Sequence, residues 1–456
     1  MHIKSSPVFG KNKVILRSTQ RPVTPFGGLC VFFEFLHKID FADAVNRFMP
    51  IKTVSPNAIE PSRIFASFLV SVVAGARRFA HTSIVRSDAV LLAMMGVNRF
   101  PCDDTIRNFF MKFGMGETQK FFEPLWRWMV KRVAIRAEGY SLDLDSTVFE
   151  RYGKQEGALK GHNPKKHGRP SHHPILAVLA EAYFVLHAWM RSGNAGTARG
   201  VVEFLKETLA LLPDGVFIRC LRADSGFFDN RLMGFLEERG LPYIVVARMT
   251  KTIKMKASGV KNWVRIDADY SVGEFRAKLH GWSVDRRFIV IRERIRESGS
   301  AVGRRLFDIP GYTFRVMVTS MSGEPSEIWR DYNKRGDMEN RIKELKYDLA
   351  ADDFCMRQFY ATEAAFRSVL ALFNLLGEFQ RASGMGKWRQ PATLRTEVFL
   401  CGAILGRKGH DLVVHLSESW GGLSRRNPLL EKVKAYIFPT SPKLDATPEI
   451  PAYAVA

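Results

Sequence analysis

The stretch YSLDLDSTVFE, from Tyr140 to Glu150, alternates apolar and polar side chains. Successive side chains of a β-strand point to opposite faces, so Leu142 and Leu144 share one face while Asp143 and Asp145 share the other. Asp145 lies near the end of this predicted strand. Asp143 projects from the same face and therefore competes with Asp145 for any chemical role there.

The residues that follow predict a mixed α/β sheet. HPILAVLAEAYFVLHAWMRSG indicates two further strands with a turn near Glu181, and GVFIRCLRADSG indicates a fourth strand that ends at Asp224. A fifth strand is predicted in PYIVVARM, and helices are expected at about Thr197–Leu212 and Asp229–Arg239. The order of three strands, helix, strand, helix, strand places the first three strands in direct succession, joined by short turns.

Charge narrows the class of partner. The chain has 456 residues, of which 68 are Lys or Arg and 46 are Asp or Glu, which gives a net charge of +22 and a pI near 9.9. The excess is spread along the chain, which favours several surfaces that contact one long polyanion, most simply nucleic acid. A basic protein that is merely soluble is the alternative. The 46% hydrophobic content is ordinary for globular proteins.

Cysteine usage and hydropathy argue against a disulfide-stabilised, a zinc-stabilised and a membrane-spanning protein. The five cysteines are scattered without a CxxC pair, which argues against a disulfide framework and a structural zinc site. No signal-peptide order is visible at the N-terminus. The longest apolar run, Ile64–Ala76, is too short to span a bilayer and predicts a buried helix. We therefore expect a cytoplasmic protein with no membrane partner.

The first 135 residues predict a helical region. Helical segments are expected near 30–48, 60–76, 84–95, 103–113 and 117–133, after a polar arm. In PCDDTIRNFFMKFG, Asp103 or Asp104 is the expected N-cap of a short helix that carries Arg107. This pattern resembles a helix-turn-helix that contacts DNA through Arg107, while plain helical packing stays open as the alternative.

The stretch YNKRGDMENRIKELKYDL, Tyr332–Leu349, combines charge with helical order. At about 100° per residue, four polar side chains share one narrow stripe of a continuous helix, beside an apolar stripe that can face a core. The four are Tyr332, Arg335, Glu339 and Lys346. A solvent-exposed face with helical ion pairs would give a similar pattern.

Three carboxylates stand out by position: Asp145, Asp224 and Glu339. Carboxylates from strand ends and a helix can converge on Mg²⁺, and two such ions can assist an in-line phosphoryl transfer. A chain with 46 acidic residues offers many such triples, and the pairs Asp267/Asp269 and Asp352/Asp353 are expected at the surface.

A family resemblance resolves this choice. The blocks LDLDST, LRADSG and YNKRGDMENRIKELK resemble the three catalytic blocks of bacterial insertion-sequence DDE transposases. The last block matches the Y-(2)-R-(3)-E-(6)-K signature of one cut-and-paste group, and GHNPKKHGRPSHHPILA resembles the block that marks insertion-sequence family 1380. The resemblance covers essentially the whole chain. It implies an α/β, ribonuclease-H-like mixed sheet core with a β-rich insertion, a helical N-terminal DNA-binding region and C-terminal helices.

The same resemblance assigns roles. Asp145, Asp224 and Glu339 become the catalytic metal ligands, for two Mg²⁺ ions that Mn²⁺ can replace, and Asp143 is at most a supporting residue. Tyr332, Arg335 and Lys346 inherit contacts to DNA near the reacting phosphates. The predicted domains are 1–135 (DNA binding), 136–249 (first part of the core), 250–320 (insertion), 321–385 (core completion with the Glu339 helix) and 386–456 (C-terminal region with possible dimerisation and a disordered tail).

Two further patterns, a basic loop with four histidines and a pair of tryptophans, each allow two interpretations. Histidines at 162, 167, 172 and 173 lie among Lys165, Lys166 and Arg169. A loop that contacts phosphates through these three basic residues is favoured there over a metal site. Trp263 and Trp282 could stack on a displaced base, although core packing is the simpler expectation.

The sequence therefore predicts a transposase that binds the terminal inverted repeats of its element in double-stranded DNA and cuts and joins strands with Mg²⁺. The family implies a homodimer in a synaptic complex with target DNA, and a hairpin intermediate. A retired, transposase-like repressor and a nuclease that never joins ends are the rival hypotheses.

Overall fold

The computed structural model describes residues 3–9, 12–53, 55–161, 163, 166–294 and 312–438. Lys165, His162 and residues 439–456 of the predicted tail lie outside these ranges. Within them, three short strands and six α-helices precede the Tyr140 strand. They are β1 (Ile3–Ser5), β2 (Val14–Leu16), β3 (Val23–Thr24), α1 (Leu29–Lys38), α2 (Phe41–Phe48), α3 (Pro61–Val73), α4 (Ala89–Met95), α5 (Asp103–Phe110) and α6 (Met115–Val130).

The helical periodicity of this region is thereby confirmed. Helix α3 carries the long apolar run and buries most of it, including Phe65 and Phe68. In the described part of the chain, no helix has the length and apolar character needed to cross a bilayer. The prediction of Asp103 or Asp104 as the N-cap of α5 was wrong by one or two residues. The extended backbone of Cys102 caps the helix, and Asp103 and Asp104 lie in the first turn, where carboxylates favour the positive end of the helix dipole.

The predicted strands and helices of the middle region are present, but the prediction of short turns between the first three strands was wrong for the first connection, which is residues 147–174. The elements of this region are β4 (Tyr140–Ser146), β5 (Phe149–Glu150), β6 (Leu159–Lys160), β7 (Pro170–His172), β8 (Ile175–Leu179), β9 (Phe184–Trp189), α7 (Val201–Ala210), β10 (Ile218–Ala223), α8 (Asn230–Glu238) and β11 (Tyr243–Val246). Strands β4, β8, β9, β10 and β11 are the five predicted ones. The short strands β5, β7 and β6 form a separate small sheet between β4 and β8.

The region after β11 extends the same sheet. Its elements are α9 (Lys251–Ser258), β12 (Val264–Arg265), β13 (Tyr270–Ala277), β14 (Arg286–Arg294) and β15 (Tyr312–Thr319). Among the described strands, nine form one sheet in the order β12-β13-β14-β15-β11-β10-β4-β8-β9. Strand β15 pairs antiparallel with β11, so the β-rich segment predicted as an insertion is hydrogen-bonded directly to the central strands. The domain boundaries themselves stay a prediction.

The C-terminal part covers the sheet with helices. It comprises α10 (Pro325–Asn333), α11 (Gly336–Lys343), α12 (Phe359–Ala382), α13 (Pro391–Leu394), β16 (Ala403–Lys408), β17 (Asp411–Leu416) and α14 (Gly422–Ala435). Helix α12 is almost entirely buried and contacts α6 and β9. Trp126 of α6 donates to the Val185 carbonyl of β9 at 3.0 Å, which joins the N-terminal helices to the sheet edge.

A buried chain of ion pairs joins the centre of the sheet to α10. Arg222 of β10 binds both carboxylate oxygens of Asp143 on β4, at 2.6 and 2.9 Å, and also donates to the Asp331 carbonyl of α10 at 2.7 Å. Arg219 binds the Asp331 carboxylate at 2.8 and 3.0 Å. Burial raises the pKa of Asp143, and the Arg222 guanidinium opposes that shift. Removing one member of such a pair leaves a buried charge without its partner.

We expect Asp143→Asn to lower the free energy of unfolding by about 3–5 kcal/mol, because Arg222 would lose its counter-charge in the core. Urea denaturation followed by circular dichroism measures this loss. Asp285→Asn is the matched control, since it removes an exposed pair with Arg276 and should change stability by about 1 kcal/mol or less. Equal effects of the two substitutions would contradict a structural role for the buried pair.

Candidate active site

The register of the parallel strands β4 and β10 brings Asp145 and Asp224 together at the C-terminal ends of these two central strands, called the Asp145–Asp224 edge below. Leu144 of β4 is paired with Ala223 of β10, and each aspartate is the next residue of its chain. Neighbouring strands lie about 4.8 Å apart, so the two carboxylates emerge side by side. Asp224 also caps the 3₁₀ turn Ser225–Phe227, since its Oδ1 accepts the Gly226 N–H at 2.9 Å.

Asp145 is buried and held on two sides. The backbone N–H of Ser146 donates to its Oδ1 at 2.7 Å, and Arg335 Nη2 lies 3.2 Å from its Oδ2. Burial raises the pKa of Asp145 to about 6; the Arg335 charge lowers it, and the nearby Asp224 and Glu339 carboxylates raise it. The pKa of Asp145 therefore responds to all three residues that the sequence singled out around it.

The helix that carries the third carboxylate is not continuous. Helix α10 ends at Asn333, α11 begins at Gly336, and a π-helical turn spans Glu344–Asp348. The prediction of one unbroken helix was wrong, because Arg335 at the break turns inward and donates to the Leu144 carbonyl at 2.9 Å. As a result Tyr332 and Arg335 are buried, whereas Glu339 is exposed beside the site.

The apolar stripe of this segment was predicted correctly. Met338, Leu345 and Leu349 are buried in the main core cluster, and Ile342 packs against it. These contacts fix the side of α11 that faces the sheet. Glu339 lies on the flank of this buried stripe, where it is exposed and still within electrostatic range of Asp145.

Tyr332 is buried, and Lys346 is half-buried and bound to other parts of the chain. Burial raises the pKa of Tyr332, and among the nearby charges Arg335 lowers it while Asp224 raises it. Lys346 donates to the Val148 carbonyl at 3.0 Å and lies 3.7 Å from Asp352. Lys346 thus fastens the π-helical turn to the connection that follows β4.

The basic loop after β5 is partly engaged within the chain. Lys166 pairs with Glu150 at 2.9 Å and contacts the Tyr152 hydroxyl at 3.0 Å, and the Arg169 guanidinium lies over the Tyr152 ring. Arg107, on α5, is exposed and 3.9 Å from Asp103. Contacts of these residues and of Lys165 with DNA stay predictions.

Two histidines of that loop have structural partners. His172 accepts the Arg151 Nε–H at 3.0 Å, and burial first, then the Arg151 charge, lowers its pKa to about 4. His173 lies 3.1 Å from the Ser146 hydroxyl, next to Asp145. Sequence reasoning gave His173 no role at the Asp145 strand, because no local pattern joins residues 146 and 173.

The two tryptophans are packed. Trp263 donates to the Val260 carbonyl at 2.9 Å and lies under the Arg292 guanidinium. Trp282 packs against Phe228 and Phe288, with the Arg286 guanidinium over its ring. These contacts favour core packing over base stacking for both side chains.

The donor set was compared with the needs of a metal ion. Asp145, Asp224 and Glu339 offer the hard oxygen ligands that Mg²⁺ prefers, and a divalent cation would lower the pKa of Asp145, which burial and, to a smaller extent, the other two carboxylates raise. Within the described ranges, however, no three His, Cys, Asp or Glu side chains are grouped closely enough to hold a metal. The three carboxylates are chemically suited to Mg²⁺, but in the described structure they are not close enough together to coordinate one ion.

A family model described as transposase DDE domain group 1 matches residues 6–436. Proteins of that class carry a DDE transposase domain, and the chain belongs to this family.

Further relatives are remote. No protein with a curated description matches the sequence. Among solved structures, the chain is similar to a piggyBac transposase seen by cryo-EM in a synaptic complex with hairpin DNA, with 11% identity, coverage of 84% of this chain and 82% of that chain, and a TM-score of 0.44. So distant a likeness supports no conclusion about this chain.

Glu344 is a titratable group that sequence reasoning overlooked. It lies in the π-helical turn after α11, where Arg341 is 2.8 Å away and the Trp388 indole N–H donates to it at 3.2 Å. Burial raises its pKa to about 7, against the opposing effects of Arg341 and Trp388. Nothing in the local pattern distinguished Glu344 from an exposed helical glutamate.

We expect Glu344 to make stability pH-dependent. Because its pKa is raised on folding, the folded protein binds this proton more tightly, and the stabilisation it brings is present below about pH 4.5 and lost as the pH rises to about 7. Thermal unfolding of the wild type and Glu344→Gln across this window measures the effect. The Tm of the wild type, relative to the variant, should fall as pH rises; parallel curves would contradict the assignment.

Proposed function

We propose that this chain is an active transposase that binds the terminal inverted repeats of its element and performs cut-and-paste transposition of double-stranded DNA. Membership of the DDE transposase family supports a role in transposition. The observation that carries the finer proposal is the pairing of Leu144 with Ala223, which sets Asp145 and Asp224 side by side at one sheet edge with Glu339 within electrostatic range.

The proposal includes a ribonuclease-H-like core. Strands β9, β8 and β4 are antiparallel neighbours, and β10 and β11 continue from β4 in parallel, with α7 and α8 as the connecting helices. This order puts the first and fourth strands of the motif together in the middle of the sheet. Membership of insertion-sequence family 1380 also stays part of the proposal.

Asp145, Asp224 and Glu339 would hold Mg²⁺ or Mn²⁺, which would supply Lewis-acid stabilisation of charge on the oxygens of the scissile phosphate. The chain's own groups prepare this site. The Ser146 and Gly226 N–H groups fix one oxygen each of Asp145 and Asp224, and Arg335 orients the other oxygen of Asp145. Arg335 thereby places positive charge beside the position where a phosphate would lie.

We further propose that Tyr332 and Arg335 contact the DNA end when the site opens to receive it, with Lys346, Lys165, Lys166, Arg169 and Arg107 as additional phosphate contacts. A net charge of +22 supports an extended polyanionic partner. A homodimer that assembles two ends, and a cytoplasmic location on the bacterial nucleoid, complete the proposal.

The first test is metal-dependent strand cleavage. Glu339→Gln should lower cleavage of a labelled duplex carrying the element's end by at least about 100-fold, because a metal ligand is lost. Its affinity for the same duplex, measured by gel shift without metal, should stay within about twofold of the wild type, since no phosphate contact is removed. Asp145→Asn should behave in the same way.

Asp337→Asn is the matched control, because it removes a carboxylate from the same helix, α11, at an exposed position. It should cleave as the wild type does. Loss of end binding by Glu339→Gln would contradict its assignment as a ligand. Tight binding by the wild type without any Mg²⁺-dependent cutting would favour a repressor, and cutting without end specificity would favour a simple nuclease.

A further inference from the structure

Residues 240–266 are strongly one-sided in charge. They contain six basic side chains and no acidic one. The six are Arg248, Lys251, Lys254, Lys256, Lys261 and Arg265. Three of them lie on the eight-residue helix α9. Such a density of like charge is unfavourable in isolation and implies a partner of opposite sign.

This segment begins at the edge of the sheet that carries the aspartates. Strand β11 runs parallel to β10, with Val245 paired with Ala223, so the residues after both strands emerge at the same level. The Arg248 guanidinium donates to the carbonyls of Ser225 and Gly226, at 3.1 and 3.2 Å. These are the two residues that follow Asp224. The basic segment is therefore fastened directly to the turn that holds Asp224.

Packing determines which side of α9 is open. Ile253 and Ala257 are fully buried, and the helix contacts β13 and β15 through this side. Lys251 is exposed on the opposite side, and Lys254 and Lys256 lie half-buried along the flanks. Among the described residues, no ion pair involves Arg248, Lys251, Lys256 or Lys261. The positive charge of these four residues is thus uncompensated by ion pairs within the described chain.

We propose that Arg248, α9 and Lys261, together called the α9 basic surface, bind the phosphate backbone of duplex DNA immediately beside the Asp145–Asp224 edge. Eight helical residues at about 1.5 Å each span about 12 Å, a length over which duplex DNA presents several phosphates. DNA held on this surface would lie next to the two aspartates, because Arg248 joins the surface to the Asp224 turn. The inference rests on the proposed function and adds a contact surface that the sequence motifs do not mark.

The test is the salt dependence of DNA affinity. Full-length wild type, Lys251→Gln and Lys256→Gln would be titrated against a fluorescein-labelled 30-base-pair duplex (about three helical turns), with anisotropy read over a series of NaCl concentrations. Each substitution should weaken binding at low salt and reduce the slope of log K against log salt by about 1. Lys206→Gln is the matched control, since Lys206 is exposed on α7, and its slope should equal that of the wild type.

The outcomes separate the two proposals. If the wild type binds the duplex and both α9 variants show the same slope of log K against log salt as the wild type, the proposal of the α9 basic surface is overturned and the transposase proposal stands. No duplex binding by the wild type itself would overturn the proposed function. A loss of affinity for single-stranded RNA, but not for duplex DNA, in the α9 variants would also overturn the α9 proposal. Equal thermal unfolding of all variants excludes misfolding as the cause of any change.

Discussion

The site depends on the buried pair between Arg222 and Asp143. Each partner lies two residues before a proposed metal ligand, Asp143 before Asp145 on β4 and Arg222 before Asp224 on β10, so their two hydrogen bonds fix the relative position of the two strands close to the carboxylates. The third contact of Arg222, to the Asp331 carbonyl, ties α10 to the same point. A buried ion pair is a costly way to stabilise a fold, but it defines one arrangement of its partners. Here that arrangement is the alignment of two strands and one helix.

Close to this buried ion pair, the Asp224 and Glu339 carboxylates lie within electrostatic range of Asp145. Burial is the largest cause of the raised pKa of Asp145, and the neighbouring Asp224 and Glu339 carboxylates raise it further. Arg335, at the break between α10 and α11, lies 3.2 Å from Asp145, and its charge lowers the pKa of that carboxyl. A divalent cation would lower this pKa further.

The proposed acidic site and the α9 basic surface are separate but adjacent parts of the molecule. The proposed ligands lie at one sheet edge, while the α9 basic surface begins at the adjacent turn and is connected to it by Arg248. A negatively charged strand bound on the basic surface would lie beside an acidic site that repels it, unless a cation bridges the two. If the proposed function holds, DNA binding and metal binding would therefore be coupled, because each partner would reduce the electrostatic cost of the other.

The sequence by itself determined the local elements of this protein and the chemistry of its site. Alternation predicted β4, the apolar period predicted the helices and the inward side of α11, and the three blocks pointed to Asp145, Asp224 and Glu339 and to the family. Only the tertiary structure showed that Asp143 is bound by Arg222 inside the core, because the two residues are 79 positions apart in the chain. It also decided that the helix breaks at Arg335, through a contact 191 positions distant, and that β13–β15 extend the central sheet. These features arise from contacts between distant segments, and no local periodicity records them.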